Sequence, residues 1–179
     1  MIKKPDDIGL VLKAAHFAAQ KHKDQRRKDA SASPYINHPL ALASTLRDEG
    51  LVEDVTVLAA ALLHDTIEDT DTDYDELRGQ FGDEVAEIVA EVTDTKWLKK
   101  TSRKRLQVSK AARASSGAKL VKLADKISNL RDIIASPPAD WPVERKREYF
   151  DWAKKVVDQI RGENAKLERR FDQLYRQRP

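Results

Sequence analysis

The segment 64–69, HDTIED, places an imidazole and three carboxylates at the end of a strongly apolar stretch of the chain. Residues 57–63 are all apolar, and a helix that is apolar on every side is normally buried. The helical pattern continues into the polar segment, where His64 and Glu68 stand four residues apart, as do Asp65 and Asp69. The helix dipole disfavours carboxylates at this end by about 0.3–1 kcal/mol each. A polar segment that continues a buried helix, and carboxylates at the negative end of the helix dipole, both depart from what a stable helix favours. Such departures at one place indicate a functional site.

Imidazole and carboxylate groups side by side are ligands of borderline or hard divalent cations, and a bound ion would offset the repulsion between the carboxylates. The alternative is a polar helix end that is exposed to solvent. For His64 and Asp65 we favour metal binding, because charged groups that continue a buried helix need a partner or a metal. For Asp71 and Asp73 we accept an exposed loop.

The segment 35–39, YINHP, supplies a second histidine. Proline is well suited to the first helical position, so Pro39 predicts the start of a helix with His38 at its N-cap. A role in capping or in the core accounts for His38 as well as metal binding does, and both stay open. We interpret His16, beside the apolar stripe of the first helix, and His22, among charged residues, as bystanders.

A third polar position is Asp125, on the flank of a predicted helix. The apolar stripe of this helix consists of Leu120, Leu123, Ala124, Ile127, Leu130 and Ile134. Asp125 and Asn129 border the stripe, and from spacing alone a solvated position is the simpler interpretation of Asp125. Arg131 falls inside the stripe, so its side chain must either reach solvent or pair with a carboxylate.

Four segments occur in an order that resembles a known family. They are Arg27-Lys28, 34–39 (PYINHP), 64–69 (HDTIED) and 122–126 (KLADK). The set resembles the HD-superfamily hydrolase domain of the RelA/SpoT proteins. It is most similar to the small, stand-alone alarmone hydrolases of the metazoan SpoT homologue type. The resemblance continues through 104–108 (KRLQV), 117–121 (GAKLV) and 148–153 (EYFDWA), so it covers nearly the whole chain, which makes it specific.

This resemblance implies a metal site and a catalytic pair. The implied ligands of one Mn²⁺ per chain are His38, His64, Asp65 and Asp125. For Asp125, a metal-ligating role thus replaces the solvated position that spacing alone favours. The pair matching Glu68 and Asp69 is implied to activate the attacking water.

The resemblance also implies substrate contacts by Arg27, Lys28 and Asn129. The implied reaction hydrolyses guanosine 3′,5′-bis(diphosphate), or its 5′-triphosphate analogue, to GDP or GTP and pyrophosphate, and so removes the alarmone of the stringent response. One alternative is a phosphatase acting on another ribose phosphate, such as the 2′-phosphate of NADPH. The other is a catalytically inactive helical module that binds a nucleotide.

Composition narrows the class of protein. We predict that the 179 residues form one hydrolase domain, 1–179. The absence of cysteine excludes disulfides, thiol catalysis and a cysteine zinc site, and together with the charged N-terminal stretch it leads us to expect a cytoplasmic location. The net charge is only +3, with basic clusters at 21–28, 96–105 and 145–147. Because these clusters lack interleaved stacking aromatics, we interpret them as attracting a polyanionic small molecule.

Helix boundaries recur along the chain without any alternating strand pattern, so we predict an all-α, single-domain helical bundle of the HD superfamily. The boundary residues are Gly50, Asp73 with Glu76, Gly82, Pro137-Pro138 and Pro142. A final helix is expected from 163 to about 177. The expected partner is a small-molecule nucleotide rather than a nucleic acid or a membrane, and the oligomeric state stays open.

Overall fold

The computed structural model describes residues 7–29 and 31–179, and helices dominate both ranges. The α-helices are α1 (Asp7–Lys21), α2 (Asn37–Ser44), α3 (Val55–Leu63), α4 (Thr66–Asp69), α5 (Tyr74–Phe81), α6 (Asp83–Val92), α7 (Lys100–Ala111), α8 (Ser116–Ala135), α9 (Val143–Val157) and α10 (Ala165–Tyr175). Within the described ranges no strand forms, apart from an isolated bridge between Arg26 and Pro34. The predicted all-α fold is confirmed.

Helix α3 lies at the centre of the bundle. Its residues 57–63 are all buried, and α1, α2, α6 and α8 pack around it. Each buried aliphatic side chain of valine or leucine size contributes about 1.5–3 kcal/mol relative to an exposed one. The prediction of a helix buried on every side is confirmed. The C-terminal end of α3 therefore delivers the polar segment 64–69 to the edge of the core.

Helix α8 is, after α3, the second helix that organises the bundle. Five other helices pack against it: α2, α3, α6, α9 and α10. The predicted stripe is confirmed: four of its residues are fully buried, and Leu120 and Ile134 pack partly buried against the core. Arg131 lies 2.6 Å from Glu49 and donates to Thr45 Oγ1 at 3.0 Å. Pairing with a carboxylate, one of the two predicted solutions for Arg131, is the one observed.

Helix α2 begins earlier than the sequence predicts. Its first residue is Asn37, so His38 is the second residue of the helix and not its N-cap. The turn starts before the proline, since the Asn37 and His38 amides donate to the carbonyls of Pro34 and Tyr35 at 3.2 and 3.0 Å. Pro39 is tolerated because the amides of a first helical turn have no intrahelical acceptor. The helix start predicted at Pro39 is wrong.

The chain leaves α2 through a π-helical turn, Thr45–Glu49, and the predicted boundary at Gly50 follows. Gly50 itself keeps a right-handed conformation with φ −82°, while Leu51 takes the positive φ of 54°. Glycine is needed here for space. A Cβ at this position would lie 2.8 Å from the Leu46 carbonyl oxygen and 2.9 Å from Leu167 Cδ1 of α10.

The other predicted boundaries follow local chemistry. Asp73 caps α5 by accepting from the Glu76 amide at 2.8 Å, and Gly82, with φ 89°, separates α5 from α6. Helix α8 ends at Ala135, before the paired prolines. Helix α10 begins later than predicted because Asn164 caps it, accepting from two amides of its first turn.

Among the described residues, no helix combines the length and the apolar character needed to cross a membrane. The longest helix, α8 with 20 residues, carries charged side chains along its length. The cytoplasmic location expected from the sequence stays a prediction.

Candidate metal centre and active site

Helix α3 ends at Leu63 and α4 begins at Thr66, so the continuous helix predicted through the polar segment is wrong. At the break, side chains contact carbonyls that a continuing helix would use. His64 Nδ1 lies 2.7 Å from the Ala61 carbonyl, and Thr66 Oγ1 donates to the Leu63 carbonyl at 2.7 Å. Asp65 becomes the N-cap of α4. The repulsion predicted for the C-terminal end of one long helix therefore does not apply to Asp65.

Three predicted ligands meet at this break: His38 of α2, His64 and Asp65. One ligand atom from each lies within 4.8 Å of the other two. Both histidines are buried, at 4% and 6% exposure. Asp65 Oδ2 lies 2.9 Å from His64 Nε2 and 4.0 Å from His38 Nε2. Two imidazole nitrogens and one carboxylate oxygen in this arrangement can hold a divalent cation.

Asp125 approaches these three residues from α8, with Oδ1 3.4 Å from His38 Nε2. It is not one of the three groups within 4.8 Å of one another. Lys126 Nζ lies 2.8 Å from Oδ2, and Asn129 Nδ2 donates to Oδ1 at 2.6 Å. Burial raises the pKa of Asp125, but Lys126 and His38 outweigh it and hold this pKa well below its usual value. The solvated position favoured by spacing is wrong, because the side chain is 18% exposed beside a buried histidine.

The protonation of His64 fits a metal ligand. A carbonyl only accepts, so the contact with Ala61 requires the proton on Nδ1 and leaves Nε2 of the neutral ring with a lone pair. Nε2 is buried, and its near neighbour is Asp65 Oδ2 at 2.9 Å. Burial lowers the pKa of His64, but Asp65 raises it more, to about 9. A proton and a metal ion therefore compete for the same nitrogen.

A second layer of side chains holds Asp65. Tyr35 donates its hydroxyl to Asp65 Oδ2, and burial followed by the charge of Asp65 raises the pKa of Tyr35 well above its usual value. The His22 ring is 2% exposed and packs on Tyr35, with centroids 4.8 Å apart. His22 Nδ1 lies 2.8 Å from Gln25 Oε1, and Gln25 Nε2 donates to the Asp69 carbonyl at 2.7 Å. The interpretation of His22 as a bystander is thus wrong, because its buried ring packs on the tyrosine that orients Asp65.

The two predicted catalytic carboxylates differ in their surroundings. Glu68 Oε1 accepts from Arg103 at 3.0 Å, and Oε2 accepts from the Asp94 amide at 3.1 Å. Asp69 is 42% exposed and lies 3.9 Å from Lys96 Nζ. Burial, followed by neighbouring carboxylates, raises the pKa of both Glu68 and Asp69. A carboxylate with a raised pKa is a better general base near neutral pH.

Two adjoining cavities, of about 430 and 710 Å³, form a cleft over these residues. They share Arg27, Tyr35, His38, Asn129, Trp141 and Tyr149. The larger cavity also contains Asp65, Glu68 and Asp125, and its cations are Arg27, Lys100, Arg103, Lys104, Lys126 and Arg145. All three basic clusters of the sequence therefore reach this cleft. Cations beside aromatic rings suit a polyanion that carries a planar group.

The predicted substrate-binding residues occupy different parts of the cleft. Arg27 lines both cavities, pairs with Asp132 and lies 5.8 Å from the centre of the Tyr35 ring. Lys28 is exposed and lines only the smaller cavity. Asn129 lines both cavities while it donates to Asp125, so its amide also orients that carboxylate.

Similarity to known proteins agrees with this geometry. The HD domain family model matches residues 14–151. The guanosine-3′,5′-bis(diphosphate) 3′-pyrophosphohydrolase MESH1 of Xenopus tropicalis is 53% identical over 169 residues, covering 94% of both chains. Its counterpart in Homo sapiens is 53% identical over 172 residues, covering 96% of both chains. The chain belongs to the metazoan SpoT type of the HD domain family.

A solved structure of this HD domain type supports the assignment. It is described as a metazoan orthologue of SpoT that hydrolyses ppGpp and plays a role in starvation responses. It superimposes with a TM-score of 0.91 at 48% identity, covering 94% of this chain and 95% of the other. The resemblance to the SpoT homologues that the motifs indicate is confirmed.

Sequence reasoning missed several residues of this HD domain site. Arg103 and the Asp94 amide hold Glu68, and the Lys126 ammonium lies 4.4 Å from the centre of the Trp152 ring while it pairs with Asp125. Arg103 stands in a basic run that offers no signal to distinguish it. Lys126 directly follows Asp125, but only the packing of α9 on α8 supplies the ring beneath its charge.

Proposed function

We propose that the chain, 1–179, is a metal-dependent pyrophosphohydrolase that removes the 3′-diphosphate of guanosine 3′,5′-bis(diphosphate) and of its 5′-triphosphate analogue. The observation that carries this proposal is a cation-lined cleft whose wall contains His38, two aspartates and Glu68, with His64 close to His38 and Asp65. The names of the similar MESH1 proteins support the choice of nucleotide. Intact ligand and catalytic positions argue against an inactive nucleotide-binding module.

The metal we propose is one Mn²⁺, bound by His38, His64, Asp65 and Asp125. The mixed nitrogen and oxygen donors suit Mn²⁺, and the charges of two carboxylates balance the ion. When bound, such an ion lowers the pKa of a water ligand and polarises a phosphoryl oxygen. Tyr35 and Asn129 orient the two aspartates by donating hydrogen bonds to them. The ion pair with Lys126 offsets part of the negative charge that Asp125 would present to the metal.

Glu68 is the proposed general base. The Arg103 guanidinium and the Asp94 amide fix its carboxylate, and its raised pKa favours accepting a proton from water near neutral pH. Asp69 is proposed to assist from the neighbouring position. Attack of water on the 3′ phosphorus breaks its bond to the ribose 3′ oxygen; the diphosphate leaves as pyrophosphate with the oxygen of the water, and the proton taken from the water goes to the ribose oxygen. Lys104 and Arg145 in the cleft are suited to stabilise the negative charge on the diphosphate during this step.

Product analysis tests the proposed reaction. Incubation of the protein and Mn²⁺ with guanosine 3′,5′-bis(diphosphate) should release pyrophosphate and GDP in equal amounts, and the 5′-triphosphate analogue should yield GTP. The 5′ end should stay intact, because the proposed cleavage is at the ribose 3′ position. Chromatography with phosphorus NMR measures both products. Release of phosphate from NADPH, with the alarmone left untouched, would transfer the assignment to a phosphatase acting on another ribose phosphate.

Arg27→Ala should raise KM about 5- to 150-fold if ground-state and transition-state binding are equally affected. The reason is that its guanidinium lines both cavities and presents a planar cation to a purine or a phosphate. Lys28→Ala should show a smaller rise that shrinks at high salt, because Lys28 is exposed.

Steady-state kinetics on both variants measure these effects. Arg47→Ala is the matched control, since Arg47 is 52% exposed and pairs with Glu53 outside the cleft. If KM of both cleft variants stays within about twofold of wild type, then Arg27 and Lys28 are merely solvated charges. A loss confined to kcat would instead give them a role in the transition state.

A further inference from the structure

A further cavity, of about 610 Å³, adjoins the cleft at Arg103. It is lined by the end of α6 and the residues that follow it, by α7 and the turn after it, and by Lys122 of α8. It shares Asp94, Arg103 and Gln107 with the cleft, and none of the proposed metal ligands or catalytic carboxylates lines it. The proposed hydrolysis does not use this cavity.

Lys122 is the unusual group in this cavity. It is only 7% exposed, yet among residues 7–29 and 31–179 it has no hydrogen bond and no ion pair. A largely buried ammonium group without an ion-pair partner is destabilising, because it loses part of its hydration and gains no direct contact in exchange. Burial, reinforced by the charge of Lys126, lowers the pKa of Lys122 to about 8. An anion beside it would remove this penalty.

Three further cationic side chains surround Lys122 in this cavity. Arg103 Nε is buried without a hydrogen-bond partner, although the same guanidinium pairs with Glu68 through Nη1. Lys110 and Arg113 line the cavity from exposed positions, and neither forms an ion pair within the described part of the chain.

The two carboxylates of the cavity have other partners. Glu91 Oε2 accepts from the Ser115 amide at 2.6 Å, and Asp94 Oδ2 accepts from Gln107 Nε2 at 2.8 Å. Neither lies within ion-pairing distance of Lys122. Four cationic side chains thus share one cavity with two acidic groups that do not pair with Lys122, Lys110 or Arg113.

We propose that this cavity is a second anion site, which binds a small phosphate-bearing anion through Lys122, Arg103, Lys110 and Arg113. Lys122 supplies the buried charge, and the exposed cations at Lys110 and Arg113 admit the ligand from solvent. Tetrahedral oxyanions suit such a cluster, since each oxygen accepts from a different cationic donor. The inference goes beyond the proposed hydrolysis and does not depend on it.

Calorimetric titration of the metal-free protein with inorganic phosphate tests the site. Wild type should bind one phosphate in this cavity, and both Lys122→Met and Arg113→Gln should weaken binding at least about tenfold. Met matches the length of the lysine stem without its charge, and Arg113 is exposed, so Arg113→Gln keeps the test valid if Lys122→Met fails to fold. Lys100→Gln is the matched control, because Lys100 is also exposed but lines only the cleft.

Two results would overturn the proposal. One is no saturable binding of phosphate up to about 10 mM. The other is binding that Lys100→Gln weakens while Lys122→Met and Arg113→Gln leave it unchanged, since phosphate would then occupy only the cleft.

Repeating the titration in the presence of guanosine 3′,5′-bis(diphosphate), still without metal, identifies the source of the phosphate group. An unchanged affinity for phosphate assigns the site to the free anion. Competition, together with weaker nucleotide binding by Lys122→Met, assigns it to a diphosphate group of the nucleotide that reaches past Arg103. Both results support a phosphate site at Lys122.

Discussion

Replacing His64 with alanine is expected to remove the bound metal and to lower kcat/KM on the order of 10³-fold or more. The lone pair on Nε2 lies in a buried cluster where no other described group is placed to take over its role. Polarisation by a metal contributes several kcal/mol to transition-state stabilisation, and each 1.4 kcal/mol corresponds to about tenfold in rate. Elemental analysis of the purified variant and steady-state kinetics in excess Mn²⁺ measure the two effects.

His16→Ala is the matched control for this experiment. It removes an imidazole from an exposed position of α1, so metal content and rate should stay at the wild-type level. Circular dichroism checks that both variants keep their helices. If His64→Ala retains its metal, or if thoroughly chelated wild-type protein turns over at full rate, then the proposed metal centre is wrong.

Glu68→Gln is expected to lower kcat by about 10²- to 10⁴-fold while the metal stays bound, because general acid/base groups typically contribute this much. The amide is close in shape to the carboxylate, and its oxygen can still accept from Arg103 or the Asp94 amide. What it loses is the ability to take a proton from water. Single-turnover kinetics, with metal analysis of the same sample, measure this change.

Asp69→Asn separates the two carboxylates. We expect its kcat to fall on the order of 10²-fold, towards the lower end of the range for Glu68→Gln, because Asp69 is more exposed and has no fixed hydrogen-bond donors among the described residues. Glu84→Gln on the exposed face of α6 serves as the control for the loss of one surface carboxylate.

Loss of metal or of folding in Glu68→Gln would assign Glu68 a structural role instead.

The parts of the fold that the sequence predicts are those set by local rules. A run of apolar residues makes α3 buried on every side, and the Asp73 side chain and the positive φ of Gly82 set helix boundaries through their own chemistry. The start of α2 escapes the same rules, because the turn at Pro34 and Tyr35 begins the helix before Pro39 does.

The site itself depends on contacts between distant segments. Spacing places Asp125 on the flank of α8, but only the packing of α2 against α8 brings it to His38. The break after α3 arises from side chains that contact carbonyls, which a periodicity of apolar residues does not encode. Asp125 could be named as a candidate ligand only from the resemblance of the motifs to a known family. The packing of His22 on Tyr35 could not be predicted, because the spacing of these residues in the sequence does not indicate it.

The proposed ligands come from widely separated points of the chain, which constrains when the centre can form. During synthesis, His38 and His64 leave the ribosome before Asp125, which lies in α8. Helix α10, which packs against α8, is made later still. Domains generally fold as units during synthesis, once their distant contacts are available. A nascent polypeptide that stops before α8 therefore carries two histidines and one aspartate without the acid that completes the set. The full set of four proposed ligands is therefore present only after α8 has emerged from the ribosome.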